Sequence, residues 1–388
     1  MNHRHALLLI AALLPGAATS RTVLYAAAQP IELPQAQAPI ALLVDLSAGQ
    51  TLFAREAEQP FLPASMTKAM TLLVAFDLIR EGKLAEDALI TVRPETARRL
   101  SGKGTSLWLK PNEQVAVRDL LYGIATASAN DAAVALAEGA MGSEAAWIAA
   151  MNARARALGM TGSSFASANG LPDGGRTRVT ARDMVRLAQA LIVDHPGLYR
   201  RYFGQHRMDW KGQVLSSRNP IAGIVAGADG IKTGHTREAG YTFLGAVERD
   251  GRRLVLVIGK APSEADRAAA ARAMAEWGYA AWDSRPFLGT DWIVGSIRVQ
   301  GGNARSVPVA VARPFTIAVP AGSHPKISAR IVYNGPVRAP LAKGQMVARL
   351  EVGFAGQPPH FLPLVATQAV GPAGPIDRLV NGLLGPFS

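Results

Sequence analysis

Ser65 and Lys68 place a hydroxyl and an amine three residues apart, at the head of an apolar segment that runs to Phe76. On a helix this spacing sets both side chains on one face, about one turn apart. A serine so placed has its own base beside it and can act as a nucleophile toward an acyl group. By itself Ser-x-x-Lys is a weak signal. The chain holds a second copy, Ser323-His-Pro-Lys326, in a β-patterned region. The proline inside that copy prevents the helical face from forming.

Two later stretches decide the matter. Ser-x-Asn occurs three times. Ser167-Ala168-Asn169 runs into Gly170-Leu171-Pro172 and reads as loop, and Ser217-Arg218-Asn219 lies shortly before Lys232. Only Ser128-Ala129-Asn130 sits in a helical pattern, which the sequence extends from Val115 to Gly139. Lys232-Thr233-Gly234 occurs once, on a strand-like stretch. The three elements fall in order, 63 residues from Ser65 to Ser128 and 104 from Ser128 to Lys232. Other chemistries find no footing. No Gly-Lys is followed by Ser or Thr, so there is no P-loop, and the seven histidines show no His-Glu-x-x-His spacing. With no cysteine in the chain, disulfides, thiolate metal sites and a cysteine nucleophile are excluded.

The elements that must hold these residues follow from pattern. Ala41–Leu46 and Thr51–Ala54 flank Ser47-Ala48-Gly49-Gln50 and predict a hairpin. Met66 to Ile79 is apolar almost all round and predicts a buried helix ending at Gly82. Glu144–Leu158 is a helix with Ser143 as N-cap and Gly159 beyond its end. Thr180-Ala181-Arg182-Asp183 resembles a capping box and opens another helix to about Val193. Gly240–Val247 and Arg253–Ile258 are strands joined through Asp250-Gly251, and Ser263 caps a helix reaching Trp282. Strands at both ends of the region with helices between them predict one sheet, assembled from both ends, with a helical insert. After Arg285 short segments alternate at period two, and Asn334-Gly335 predicts a hairpin turn.

The termini carry their own signals. A basic start, the apolar run Ala6–Leu14 and the breakers Pro15-Gly16 read as a secretory signal peptide, 1–28, with cleavage between 18 and 28. The net charge is +12, and +10 for a chain cut after Ala28. The basic residues are scattered in short groups such as Arg98-Arg99. In an exported chain this favours anionic lipid or an acidic polymer over nucleic acid as partner. At the C-terminus Ile376, Leu379, Val380, Leu383 and Leu384 recur at helical spacing. Twelve helical residues span about 18 Å against about 30 Å of bilayer core, so this tail can lie in a membrane interface but not cross it.

Ser-x-x-Lys, Ser-x-Asn and Lys-Thr-Gly in this order are the signature of class A β-lactamases and penicillin-binding proteins. The chain further resembles the low-molecular-mass penicillin-binding proteins, the D-alanyl-D-alanine carboxypeptidases of the penicillin-binding protein 5/6 type (peptidase family S11). The resemblance rests on Pro63–Lys68, Ser106–Pro111, Ser128–Asp131, Ala157–Met160 and Asp229–Thr236, and extends over the β-region and the tail. One departure is Ala129, where the family often has Gly. The resemblance implies an α/β (α+β) fold: a β-lactamase/transpeptidase-like domain, an antiparallel sheet flanked by helices with a helical insert, followed by a small all-β domain. The expected limits are 29–284 for the first, 285–370 for the second and 371–388 for an amphipathic tail.

The resemblance also implies roles. Ser65 attacks the carbonyl between two D-alanines of a peptidoglycan stem peptide, and Lys68 is the base. Ser128 relays a proton, while Asn130 holds substrate and the Lys68 ammonium. Lys232 tunes Lys68. Thr233 and Arg218 grip the terminal carboxylate, Gly234 lets substrate approach, and the N–H groups of Ser65 and His235 form the oxyanion hole. No cofactor and no metal are implied. β-Lactams are expected as covalent inhibitors, and the expected location is the periplasmic face of the cytoplasmic membrane. A class A β-lactamase needs a glutamate to activate the deacylating water. No Glu occurs between Glu144 and Glu238, so a penicilloyl group on Ser65 is expected to persist. A D,D-endopeptidase of cross-links and a non-catalytic penicillin-binding scaffold are the alternatives.

Overall fold

The computed structural model describes residues 38–324, 326–354 and 359–375. The signal-peptide reading and the amphipathic tail beyond Pro375 lie outside the described residues. The chain divides between Trp282 and Asp283 into two compact units.

The first unit is built on a five-stranded sheet. Its strands are β1 (Ile40–Asp45), β2 (Gln50–Arg55), β7 (Ala228–Thr236), β8 (Gly240–Arg249) and β9 (Arg252–Ala261), in the order β2-β1-β9-β8-β7. Every neighbouring pair is antiparallel. Strand β1 is buried along its whole length, which is why it reads as a continuous apolar run. Asp250 and Gly251 have φ of 50° and 76°, as the tight turn joining β8 to β9 requires.

Between β2 and β7 the chain forms helices α1 (Lys68–Arg80), α2 (Pro94–Leu100), α3 (Val117–Tyr122), α4 (Asn130–Met141), α5 (Glu144–Ala157), α6 (Ala181–Gln189) and α7 (Pro196–Phe203). Two short ladders accompany them, β3 (Leu89–Thr91) with β4 (Gln114–Ala116) and β5 (Arg207–Trp210) with β6 (Gln213–Ser216). Helix α8 (Glu264–Ala280) follows β9. Helix α1 is buried on all sides from Lys68 to Phe76 and is the axis of the core, packed with residues such as Leu120, Leu136, Trp147 and Leu187. Ser143, Thr180 and Ser263 each accept a backbone N–H at the head of α5, α6 and α8.

Three local expectations are corrected. The stretch Val115–Gly139 is not one helix. Val115 pairs in β4, Gly123–Ala127 is a widened π turn, and Ser128 takes a left-handed φ of 64°. Thr180 caps α6, but Asp183 does not close a capping box. Its carboxylate is taken by Gly162 N–H, the Ser163 hydroxyl and Arg186. Asn334-Gly335 does not join paired strands, because the strands on its two sides bond elsewhere.

The second unit is all-β. Strands β10 (Trp282–Leu288) and β13 (Phe315–Pro320) form a pair. The other six are β11 (Ile293–Gln300), β12 (Ser306–Val311), β14 (Ile327–Val332), β15 (Val337–Arg338), β16 (Met346–Phe354) and β17 (His360–Ala366). They make a sheet of order β14-β16-β17-β12-β11-β15. Val307, Val309, Ile317, Leu350 and Leu364 are among the residues of its own core. No helix among the described residues is long and apolar enough to cross a membrane.

Candidate active site

Ser65 does not lie in α1 itself. It occupies the 3₁₀ turn Ala64–Thr67 that feeds α1, and Ala64 before it has a strained φ of 49°. The tighter turn keeps Ser65 and Lys68 facing each other, with Lys68 Nζ 2.9 Å from Ser65 Oγ. Lys68 is fully buried and has two further partners, Asn130 Oδ1 at 2.7 Å and the backbone carbonyl of Asn169 at 2.6 Å. An ammonium uses all three of its protons there. A neutral amine gives its two N–H groups to the two carbonyl oxygens and turns its lone pair to the Ser65 hydroxyl.

The electrostatics favour the neutral form. Burial pushes the Lys68 amine well below its ordinary value, the charge of Lys232 adds to this, and Asp131 opposes it. Lys232 is buried too and is lowered to about 7, by burial first and then by Arg218 and Arg267.

The break at Ser128 has a structural cause. Asn130 N–H donates to the carbonyl of Thr105 at 2.8 Å, and its side-chain amide to that of Lys103 at 2.9 Å. These bonds draw the start of α4 toward the 103–105 loop, and left-handed Ser128 bridges α3 and α4. The next residue, Asp131, is buried and holds the loop in turn, accepting from the N–H of Leu107 and of Leu109 and from the Ser106 hydroxyl.

Strand β7 is the edge of the sheet and forms the opposite wall. Lys232 and Thr233 are buried on it, while His235 is exposed and stacked on Tyr241, ring centroids 4.0 Å apart. Gly234 is where β7 touches the nucleophile turn. A Cβ there would stand 2.3 Å from the Pro63 carbonyl oxygen and 3.1 Å from the Ser65 nitrogen. Thr242 Oγ1 donates to the same Pro63 carbonyl from β8. Arg218 sits on the loop after β6, which Asn219 ties to β7 by donating to the Gly230 carbonyl at 3.1 Å.

These pieces surround one cleft of about 380 Å³, lined by Ser65, Ser128, Asn130, Thr233, Gly234, His235 and Arg218. Lys68 lies beneath it, bonded to Ser65, and Lys232 lines the adjoining recess with Ser128, Arg218 and Thr233. All nine residues singled out from the sequence are thus brought together, and the copy at Ser323 lies in the other unit. Other residues are placed here without having been singled out. Asn169, in a stretch read only as loop, supplies the carbonyl that holds Lys68. The following Gly170, φ 75°, packs so closely that a Cβ would stand 2.0 Å from the Ala64 carbonyl oxygen. Arg267 and its ion-pair partner Glu264 line the cleft from α8.

Residues 26–263 match the D-alanyl-D-alanine carboxypeptidase family, peptidase S11. The chain belongs to this family. Residues 282–372 match the C-terminal domain of penicillin-binding protein 5. D-alanyl-D-alanine carboxypeptidase DacD of Salmonella typhimurium is 31% identical over 87% of this chain and 87% of its own. The crystal structure of penicillin-binding protein 5 from Haemophilus influenzae superposes with a TM-score of 0.80 at 28% identity, covering 88% of this chain and 99% of that one. Penicillin-binding protein D2 of Listeria monocytogenes, solved in an ampicillin-bound form, gives 0.58 at 30% identity over 65% of this chain and 100% of that one. The S11 chain described here therefore has the transpeptidase-like fold followed by an all-β domain, and it is a D-alanyl-D-alanine carboxypeptidase of the serine type.

Proposed function

We propose that the enzyme removes the terminal D-alanine from peptidoglycan stem peptides through an acyl-enzyme on Ser65. The observation that carries this reading is the buried Lys68 amine, 2.9 Å from Ser65 Oγ with both of its other hydrogen bonds taken by carbonyl oxygens. That environment leaves the amine one task, to accept the Ser65 proton. As the proton moves, Oγ bonds to the carbonyl carbon between the two D-alanines. The resulting oxyanion is held by the N–H groups of Ser65 and His235, a reading supported by the close packing of Gly234, the residue before His235, against the Ser65 nitrogen. Lys68 hands that proton through Ser128, in a recess with Lys232, to the leaving amine; the C–N bond breaks, D-alanine departs and Lys68 is neutral again. Water then gives a proton to Lys68 and attacks the ester, and Lys68 returns that proton to Ser65 Oγ as the C–O bond breaks, freeing both the shortened peptide and Ser65.

The preference for a chain end follows from the cations. Thr233 and Arg218 border the cleft beside Lys232 and present a hydroxyl and a guanidinium to a terminal carboxylate. Strand β7, at the edge of the sheet, suits an extended peptide. β-Lactams are read as substrates for the same acylation. Glu264, the carboxylate at the cleft rim, is bonded to Arg267, so the penicilloyl ester is expected to persist. The working site of the enzyme is taken to be outside the cytoplasm, with residues 375–388 resting on the membrane surface. The test is release of D-alanine from diacetyl-Lys-D-Ala-D-Ala. Wild type should release it, and Ser65→Ala should lower kcat/KM by about 10³-fold or more. Equal rates for the two would overturn the assignment.

A further inference from the structure

The loop from Ser101 to Lys110 has a second face, turned away from the catalytic cleft. Trp108 stands there, 53% exposed, beside a cavity of about 280 Å³. Leaving a large indole in water forgoes the burial that an aromatic side chain ordinarily contributes. Its backbone is also in the left-handed region, φ 51°, an outlier for a bulky residue.

The surrounding structure enforces this conformation. The buried Asp131 carboxylate accepts the N–H groups on both sides of Trp108, from Leu107 at 2.9 Å and Leu109 at 3.0 Å. Ser106 Oγ accepts the Trp108 N–H at 3.0 Å, and Trp210 Nε1 donates to the Leu107 carbonyl at 2.8 Å. A strained turn is pinned from several sides, and what it delivers is an exposed indole on a fixed stretch of backbone. Fixing the backbone that carries an aromatic side chain lowers the entropy lost when a ligand docks on it.

The cavity beside Trp108 is lined by two cations and by the Asp131 carboxylate, whose oxygens are already taken by Ser106, Leu107 and Leu109. Arg98, on α2, lines it and makes no ion pair among the described residues. Lys110 lines it too, and the acid facing Lys110, Glu113, is already bridged by Lys211. The ligand chemistry that fits is a ring with an apolar face and wet edges, carrying carboxylates close by. A hexosamine ring lays its C–H face on an indole while its hydroxyls stay hydrated, and cations take the carboxylates of peptides attached to it.

We propose that the Trp108 face is an exosite for the glycan strand of peptidoglycan, with Arg98 and Lys110 receiving the free carboxylates of neighbouring stem peptides. Naming this polymer rests on the carboxypeptidase reading above. The placement suits it: Gly104 and Thr105 line the cleft while Ser106 and Trp108 line the cavity, so one short loop walls both. Asn130 faces the cleft and its neighbour Asp131 the cavity. A strand held on Trp108 keeps its stem peptides within reach of Ser65.

The test uses the full chain and isolated peptidoglycan sacculi bearing pentapeptide stems. Co-sedimentation with sacculi is compared for wild type, Trp108→Ala and the double variant Arg98→Glu/Lys110→Glu, alongside kcat/KM on diacetyl-Lys-D-Ala-D-Ala. An exosite predicts an apparent affinity for sacculi about fivefold lower or worse in each variant, with tripeptide hydrolysis within about twofold of wild type. If Trp108→Ala fails to fold, the double variant carries the test, since both of its positions are exposed. Wild-type protein that does not sediment, unchanged sedimentation of the folded variants, or tripeptide activity falling in step with sedimentation would each overturn the proposal. Absence of tripeptide hydrolysis in wild type would instead overturn the carboxypeptidase reading, while sedimentation would still decide the exosite.

Discussion

At the scale of single residues the chemistry turns on where one proton resides. Lys68 is held by three oxygens, and a neutral amine satisfies them with two N–H groups and a lone pair directed at Ser65. Its low pKa comes first from burial and next from Lys232. Replacing Lys232 by Gln removes a positive neighbour, so Lys68 binds a proton more readily and its pKa rises. The acid limb of the benzylpenicillin acylation rate should therefore move to higher pH in Lys232→Gln, measured as acylation rate against pH. Arg218→Gln relieves Lys232 in the same sense, and Lys232 should then titrate above its value of about 7. If Arg218 binds the carboxylate, that variant should also lose about tenfold in kcat/KM on the tripeptide, a loss of one charge-assisted contact. The side chains of this site were legible in the sequence because hydroxyl, amine and amide come as spaced types. The Asn169 carbonyl was not, since every residue has one and only the fold selects which of them meets Lys68.

At the scale of elements, precision comes from close backbone packing. The nucleophile turn is clamped between β7 and the 169–171 loop, at Gly234 and Gly170. A methyl at Gly234 has no room beside Pro63 and Ser65, so Gly234→Ala should slow acylation by benzylpenicillin by about tenfold or more, since small misplacements at a reacting centre are costly. Asp131 satisfies two backbone N–H groups and a hydroxyl of the 106–109 loop in a buried setting. Asp131→Ala should lower stability by roughly 3 kcal/mol in a denaturant titration, from the unpaired donors it leaves. Hairpins, caps and the buried α1 followed from local pattern, because each is decided by residues near in sequence. The break at Ser128 did not. Apolar periodicity continues through it, and the bonds from Asn130 to Thr105 and Lys103 that stop the helix come from 25 and more residues away. Asn334-Gly335 misled for the same reason, because a turn-forming pair does not choose the partners of its flanking strands.

At the scale of the whole molecule the two units divide the work. The first holds every residue of the cleft, and the second has a core of its own. The tail that follows keeps its apolar periodicity as an expectation, and deleting 375–388 should move the protein from the membrane to the soluble fraction while leaving tripeptide hydrolysis unchanged. Family membership and architecture could be read from the sequence because the three motifs, shared with class A β-lactamases, come with Ser106–Pro111, Ala157–Met160 and a β-patterned region. The most direct measurement is peptide mapping by mass spectrometry after brief exposure to benzylpenicillin. An acyl-enzyme chemistry on Ser65 predicts a single penicilloyl group on the peptide containing Ser65, stable for many minutes, and none in Ser65→Ala. An adduct on another residue, or penicillin turned over rapidly with no adduct trapped, would contradict it.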